Sequence, residues 1–349
     1  MPEEKALKIG TPPFEYDWLS DWAAIPDSDS AEFGWAHHGM AVTQTGEIIG
    51  VHPANPTILV FSPSGDLQRS FTVPVREGHQ LALSTDNGEQ CLWIADPGRK
   101  NLKSSGYDPV PGERGGQVLC VSLNGEVKRT IATPDHPVYE HGNFAPTSMT
   151  VFDTGSGGNG DLWVADGYGE SFVHRFDSSG NLLGSINGDE GAAGRFDCPH
   201  GVWVDYRKAD PELYVADRAN RRVQVYDLEG VHKRVFGEQV LTSPSAFAVD
   251  GQYMIVAELR ARLAMFDLDD NFVTYIGENE SISRVERNSP GDIPGWPNNL
   301  DDNGNPVRSR VLQPGKFNSP HGIAIDNDGN IYSGEWLIGG RYTKLAKSC

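Results

Sequence analysis

Four histidines share one repeated context. His38, His79, His200 and His321 each stand immediately before a short alternating apolar run: GMAV, QLAL, GVWV and GIAI. Two of these contexts are nearly the same phrase, FDCPHGVWVD from Phe196 to Asp205 and FNSPHGIAID from Phe317 to Asp326. Imidazoles at equivalent positions of a repeat can converge on one point. Three that converge can hold a transition metal and leave a coordination position open for water or substrate. Zn2+ is the first expectation, and another divalent transition metal suits the same nitrogen ligands.

Converging side chains need a repeated scaffold. The same leading position is filled by Thr147 before SMTV and by Ser245 before AFAV, which makes six units. Each leading residue is followed by a turn and a second run (EIIGVH, CLWIAD, DLWVAD, ELYVAD, YMIVAE, IYSGEW), then by a third, and in most units by a fourth. Alternation with β-branched and aromatic enrichment between turn residues is a strand signal. Six units of about four strands predict an all-β, six-bladed β-propeller. In such a blade the first strand is innermost and the second returns antiparallel, so residues after the second strand end near the leading residues. That ring holds His52, Asp96, Asp166, Asp217, Glu258 and Glu335, with Tyr168 and Arg218 just beyond. His79, His200 and His321 belong to units two, four and six, a third of a turn apart, and are the expected metal ligands.

Residues 1–35 form an N-terminal segment and 36–349 a single propeller, with long loops near 98–115 and 278–316 that read as surface loops. The last unit lacks a fourth strand, so ALKIG or FEYDWL is expected to close the ring. His38 has three readings: a fourth ligand, an acid/base or supporting group with His52 as the alternative, or a rim residue. His37, next to it, is expected to point away from the axis.

With 29 Lys and Arg against 48 Asp and Glu, the net charge of −19 excludes a basic nucleic-acid footprint and disfavours anionic membrane surfaces. A small-molecule substrate is the expected partner, and the sequence carries no signature of oligomeric state. Cys91, Cys120, Cys198 and Cys349 form no CxxC motif. With no apolar leader, a cytoplasmic, reducing location is expected.

The stretch from Ala165 to Tyr226, opening ADGYGES and containing ADRANRRVQVY, resembles the peptidyl-α-hydroxyglycine α-amidating lyases, which are NHL-repeat six-bladed propellers. FNSPHGIAIDNDGNIYSGEW resembles the last blade of that family. The resemblance implies zinc on His79, His200 and His321, a catalytic tyrosine at Tyr168 and an active-site arginine at Arg218. It implies cleavage of an N-(α-hydroxyalkyl) amide, or a related small α-hydroxy substrate, to an amide and an aldehyde. A metal-dependent hydrolase or hydratase, and a non-catalytic NHL-repeat scaffold, are the alternatives. Three departures matter. The family's first-unit arginine has no counterpart, since no arginine precedes Arg69; this suggests a small metabolite that lacks the family's peptide-glycine carboxylate or presents it differently. Gly169, Tyr214 and Val225 stand where secreted members carry cysteines. Gly322 stands where an aspartate contributes to structural Ca2+, which leaves calcium an open question.

Overall fold

Short apolar runs separated by Gly and Asx turns pair as antiparallel strands in the computed structural model, which describes residues 7–348 apart from 21, 27, 36, 87, 287–292, 310 and 311. Blade 1 runs outward through Ala41–Val42, Ile48–Val51, Thr57–Phe61 and Leu67–Thr72. Blade 2 uses Leu81–Asp86, Glu89–Asp96, Gln117–Ser122 and Val127–Ile131, and blade 3 uses Ser148–Val151, Leu162–Ala165, Val173–Phe176 and Leu182–Ile186. Blade 4 comprises Pro199–Asp205, Glu212–Asp217, Arg222–Tyr226 and His232–Phe236. Blade 5 comprises Pro244–Asp250, Tyr253–Glu258, Arg262–Phe266 and Phe272–Ile276. Blade 6 holds Pro320–Ile325, Ile331–Glu335 and Tyr342–Lys347, then takes Phe14–Leu19 as its fourth strand and Leu7–Thr11 as a fifth. The chain is therefore a six-bladed β-propeller whose ring is closed by an N-terminal strand, FEYDWL; the strand from ALKIG adds an outer layer.

Each blade is covered on both faces, which is why its middle strands are apolar almost throughout. The clusters between blades mix neighbours: Trp163, Ala165 and Val173 of blade 3 pack with Val202, Val204 and Val215 of blade 4. The closing strand joins the core in the same way. Tyr16 and Trp18 are buried against Ala246, Ile255 and Leu263 of blade 5 and Ile323 and Leu345 of blade 6. Trp18→Ala is therefore expected to destabilise the protein by about 3–5 kcal/mol in chemical denaturation. A loss below about 1 kcal/mol would mean that the closing strand is dispensable.

The acidic stretches DLDDN, LDDNGN and DNDGN are turns. Asp267, Asp301 and Asp326 each accept N–H groups two and four residues onward. The inner strands crowd the axis where glycine follows a leading residue: a Cβ on Gly322 would lie 2.1 Å from the His38 carbonyl oxygen. Beyond those glycines the six inner strands enclose a mostly apolar cavity of about 360 Å³, lined among others by Met40, Leu81, Met149, Val202, Phe247 and Ile323. Among the described residues no helix is long and apolar enough to cross a membrane.

Candidate metal centre

The leading residues of blades 4, 5 and 6 are aimed by bulges. In blade 4 Pro199 pairs with Asp217 but Gly201 pairs with Ala216, so His200 is an extra residue. The same slip occurs at Ser245 in blade 5 and at His321 in blade 6. A bulge breaks the two-residue alternation and turns one side chain out of the sheet; here that direction is the axis.

The acids that end the second strands hold the backbone that leads into these positions. Asp96 accepts the N–H groups of Arg76 and Glu77 (2.8 and 3.1 Å), just before His79. Asp217 accepts the N–H of Asp197 (2.8 Å), before His200, and Glu335 those of Asn318 and Ser319 (2.6 and 2.9 Å), before His321. Asp166 accepts from Ala145 N–H, Glu170 N–H and the Tyr139 hydroxyl, each at 2.7 Å, and so fixes the turn that carries Tyr168. Burial pushes the carboxyl pKa values of Asp96 and Asp166 up, against these hydrogen bonds.

The Tyr139 hydroxyl gives its proton to Asp166 and so accepts from His174 Nε2 (2.7 Å), while His174 Nδ1 accepts from Ser185 (2.7 Å). This network needs a neutral imidazole, and burial lowers the His174 pKa to about 3. Its contribution to stability is present above the unfolded value near 6.5 and is lost as pH falls toward 3. His174→Gln should flatten the fall in urea midpoint between pH 7 and 4; an unchanged slope would remove His174 from the account.

His79, His200 and His321 are fully buried, with ring centroids 4.6 Å (79–321), 4.9 Å (79–200) and 4.9 Å (200–321) apart. Each Nδ1 faces the carbonyl of the next blade's leading residue: Thr147 at 2.5 Å, Ser245 at 2.9 Å and His38 at 3.4 Å. A carbonyl only accepts, so Nδ1 carries the proton and Nε2 keeps its lone pair, as in metal-bound histidines. Burial, followed by neighbouring imidazoles and Arg218, lowers all three pKa values well below the ordinary value. They are neutral near pH 7, and no proton competes with a metal for them. His321 Nε2 is buried with no hydrogen-bond partner. These features fit a divalent transition metal.

Tyr168 Oη lies 3.4 Å from His79 Nε2 and 3.3 Å from His200 Nε2. Burial raises its pKa and Arg218 works against that rise. Arg218 contacts the Tyr168 hydroxyl through Nη1 (3.5 Å) and Cys198 Sγ through Nη2 (3.1 Å). Its guanidinium lies 5.3 Å from the centre of the Tyr168 ring, and that of Arg99 lies 5.0 Å from it. Among the described residues neither arginine has a carboxylate partner.

No family model matches the chain. It is 28% identical over 283 residues to NHL repeat-containing protein 3 of Homo sapiens, across 73% of this chain and 74% of that protein. It is 27% identical over 212 residues to peptidyl-alpha-hydroxyglycine alpha-amidating lyase 1 of Drosophila melanogaster, across 54% of this chain but only 33% of that protein. Among solved structures, a streptogramin B lyase superposes with a TM-score of 0.55 at 15% identity, over 99% of this chain and 100% of that one. A luciferin-regenerating enzyme gives 0.53 at 11% identity, over 90% and 93%. At such identities the structural likeness speaks to the fold alone. The chain is an NHL-repeat-like six-bladed propeller that resembles the amidating lyases.

In this propeller His38 and His52 do not join the cluster. The His38 ring packs on Tyr342, its Nδ1 3.0 Å from the Val51 carbonyl and 3.2 Å from the Tyr342 hydroxyl. Its link to the site is its backbone carbonyl, behind His321. His52 serves a turn: Nδ1 accepts the N–H groups of Ala54 and Asn55, both at 3.1 Å, and Nε2 meets the Pro26 carbonyl at 3.0 Å.

His37 reverses its expected direction. Strand pairing in blade 1 begins only at Ala41, so strand alternation does not reach back to residue 37. Its ring lies 4.8 Å from that of His79, 5.1 Å from His321 and 5.8 Å from Tyr168, and stacks on Trp336. The 98–115 insertion is also more than a surface loop. Arg99–Asn101 pairs with Pro109–Pro111 as a hairpin bridged to Trp35, and it brings Arg99 and the buried Lys100 to the site. Arg99 follows the second strand of its blade just as Tyr168 and Arg218 follow theirs, and that signal was available in the sequence.

Proposed function

We propose that this protein is a metal-dependent lyase that cleaves an N-(α-hydroxyalkyl) amide bearing a carboxylate, releasing the amide and an aldehyde that keeps the carboxylate. The observation that carries this reading is the Tyr168 hydroxyl, within 3.4 Å of Nε2 on two of three converging histidines and in contact with Arg218. When bound by His79, His200 and His321, zinc or another divalent transition metal supplies a Lewis acid for a hydroxyl oxygen.

The chain's own residues account for the rest. In the reaction the carbon–nitrogen bond breaks, the hydroxyl oxygen becomes a carbonyl, and its proton moves to the departing amide nitrogen. One group that takes the proton and then returns it ends the cycle unchanged, and Tyr168, whose hydroxyl lies beside Nε2 of His79 and His200, is assigned that part. Arg218 offers a planar donor fork for a carboxylate. Arg99 adds a second guanidinium from another blade, in the absence of a first-unit arginine. Two arginines without carboxylate partners, in a chain of net charge −19, favour an anionic substrate over a neutral one.

The test is aldehyde release from an N-acyl-α-hydroxyglycine by zinc-loaded protein, beside the same compound as its methyl ester. Turnover of the acid at least about tenfold above the ester is expected from the loss of a charged contact. No release above the protein-free rate would sink the lyase reading. A non-catalytic scaffold is the second reading, because the relative matched at 74% of its length is named for its repeats alone; the same null result would favour it.

A further inference from the structure

The buried set beside the three histidines is built like part of the metal site. His37 Nδ1 lies 3.3 Å from Glu77 Oε1, within ion-pair distance but without hydrogen-bond alignment, and the His37 backbone N–H donates to the same oxygen at 3.2 Å. Glu77 is itself buried and faces Lys100 Nζ at 3.4 Å. A buried Lys–Glu pair is weak evidence for stability by itself. A carboxylate behind an imidazole is the arrangement that orients metal-bound histidines. With Nδ1 facing Glu77, Nε2 is the nitrogen left for a metal. The ligand atoms of His37, His79 and His321 already lie within 4.8 Å of one another. Nitrogens about 2.1 Å from a tetrahedral zinc stand about 3.4 Å apart, so shifts of roughly 1 Å per ring close the set. His200 stands outside this set; its Nε2 is in contact with the Tyr168 hydroxyl at 3.3 Å, as His79 Nε2 is at 3.4 Å, while His321 Nε2 is buried without a hydrogen-bond partner.

We propose that His37 is a fourth protein ligand of the metal, oriented by Glu77 and, through Lys100, braced by the 99–111 hairpin. This rests on the metal-centre reading above and extends it: a bound metal would be held by His37 together with His79, His200 and His321. His37 takes the part that sequence reasoning considered for His38.

X-ray absorption of the full-length, zinc-loaded protein counts the imidazoles. Four are expected, and three overturn the proposal. In parallel, zinc affinity and the visible spectrum of the cobalt(II)-substituted protein are measured for His37→Gln and Glu77→Gln. His37→Gln should weaken zinc binding at least tenfold and change the cobalt band intensities, and Glu77→Gln should weaken it by about 10–100-fold. Unchanged affinity and spectrum in His37→Gln overturn the proposal. If that variant does not fold, the wild-type imidazole count decides. His79→Gln and His321→Gln separate the two readings: if they lose zinc while His37→Gln keeps it, the three-histidine centre stands and the fourth ligand falls. If all three keep it, both fall.

Discussion

Tyr168→Phe is expected to lower kcat for a carboxylated α-hydroxy amide by about 10²–10⁴-fold, the range for loss of a positioned proton-transfer group. Zinc content stays at the wild-type level, because the ligand nitrogens and the carbonyls behind them are untouched. KM changes little, because Arg218 and Arg99 keep an aromatic ring to lie against. The expectation follows from the position of the hydroxyl between His79 and His200 and from the opposed forces on its pKa. Burial disfavours the phenolate, while Arg218 favours it, and a cation held by the histidines would act in the same sense as Arg218. A purely packing role for Tyr168 predicts a lower melting temperature with kcat intact. That pattern, or a kcat within threefold of wild type, would remove the tyrosine from the chemistry.

How much of this was legible in the sequence depends on how far each feature obeys the repeat. The six blades were readable because alternating runs and turn residues recur with regular order. His79, His200 and His321 were readable because alternate blades are related by the symmetry of the ring. The choice between ALKIG and FEYDWL was not, since both alternate and only tertiary pairing selects Phe14–Leu19 for the gap beside Tyr342–Lys347. The acids at the second-strand ends were placed on the ring but given no role. Their partners are backbone N–H groups before each bulge, and no residue pattern announces a backbone donor. His37 and His38 were exchanged because the reading carried strand alternation past the point where pairing stops. Arg99 was passed over although its place after a second strand was readable, because it opens an insertion read as a surface loop; Lys100, one residue further in, has no counterpart in the other blades. What escaped is the non-repeating part, where one blade departs from the others to build a site.

His321→Ala is expected to abolish zinc binding and to bring turnover to the background rate. His321 Nε2 is buried without a partner, and such an atom costs about 1–3 kcal/mol. Truncation relieves that cost but leaves a void with a cost of similar size, so the metal-free variant should melt close to the metal-free wild type. The difference appears when zinc is added. At a hundred times its Kd, zinc would stabilise the wild type by about 2.7 kcal/mol, a rise of about 4 °C for a chain of this size. The variant should gain less than about 1 °C. A group that is unsatisfied in the empty protein and satisfied by a ligand is kept for binding rather than for folding, and the comparison of the two melting curves reads that distinction directly. If His321→Ala retains the zinc-dependent shift, the ion binds elsewhere and the axial histidines are packing residues.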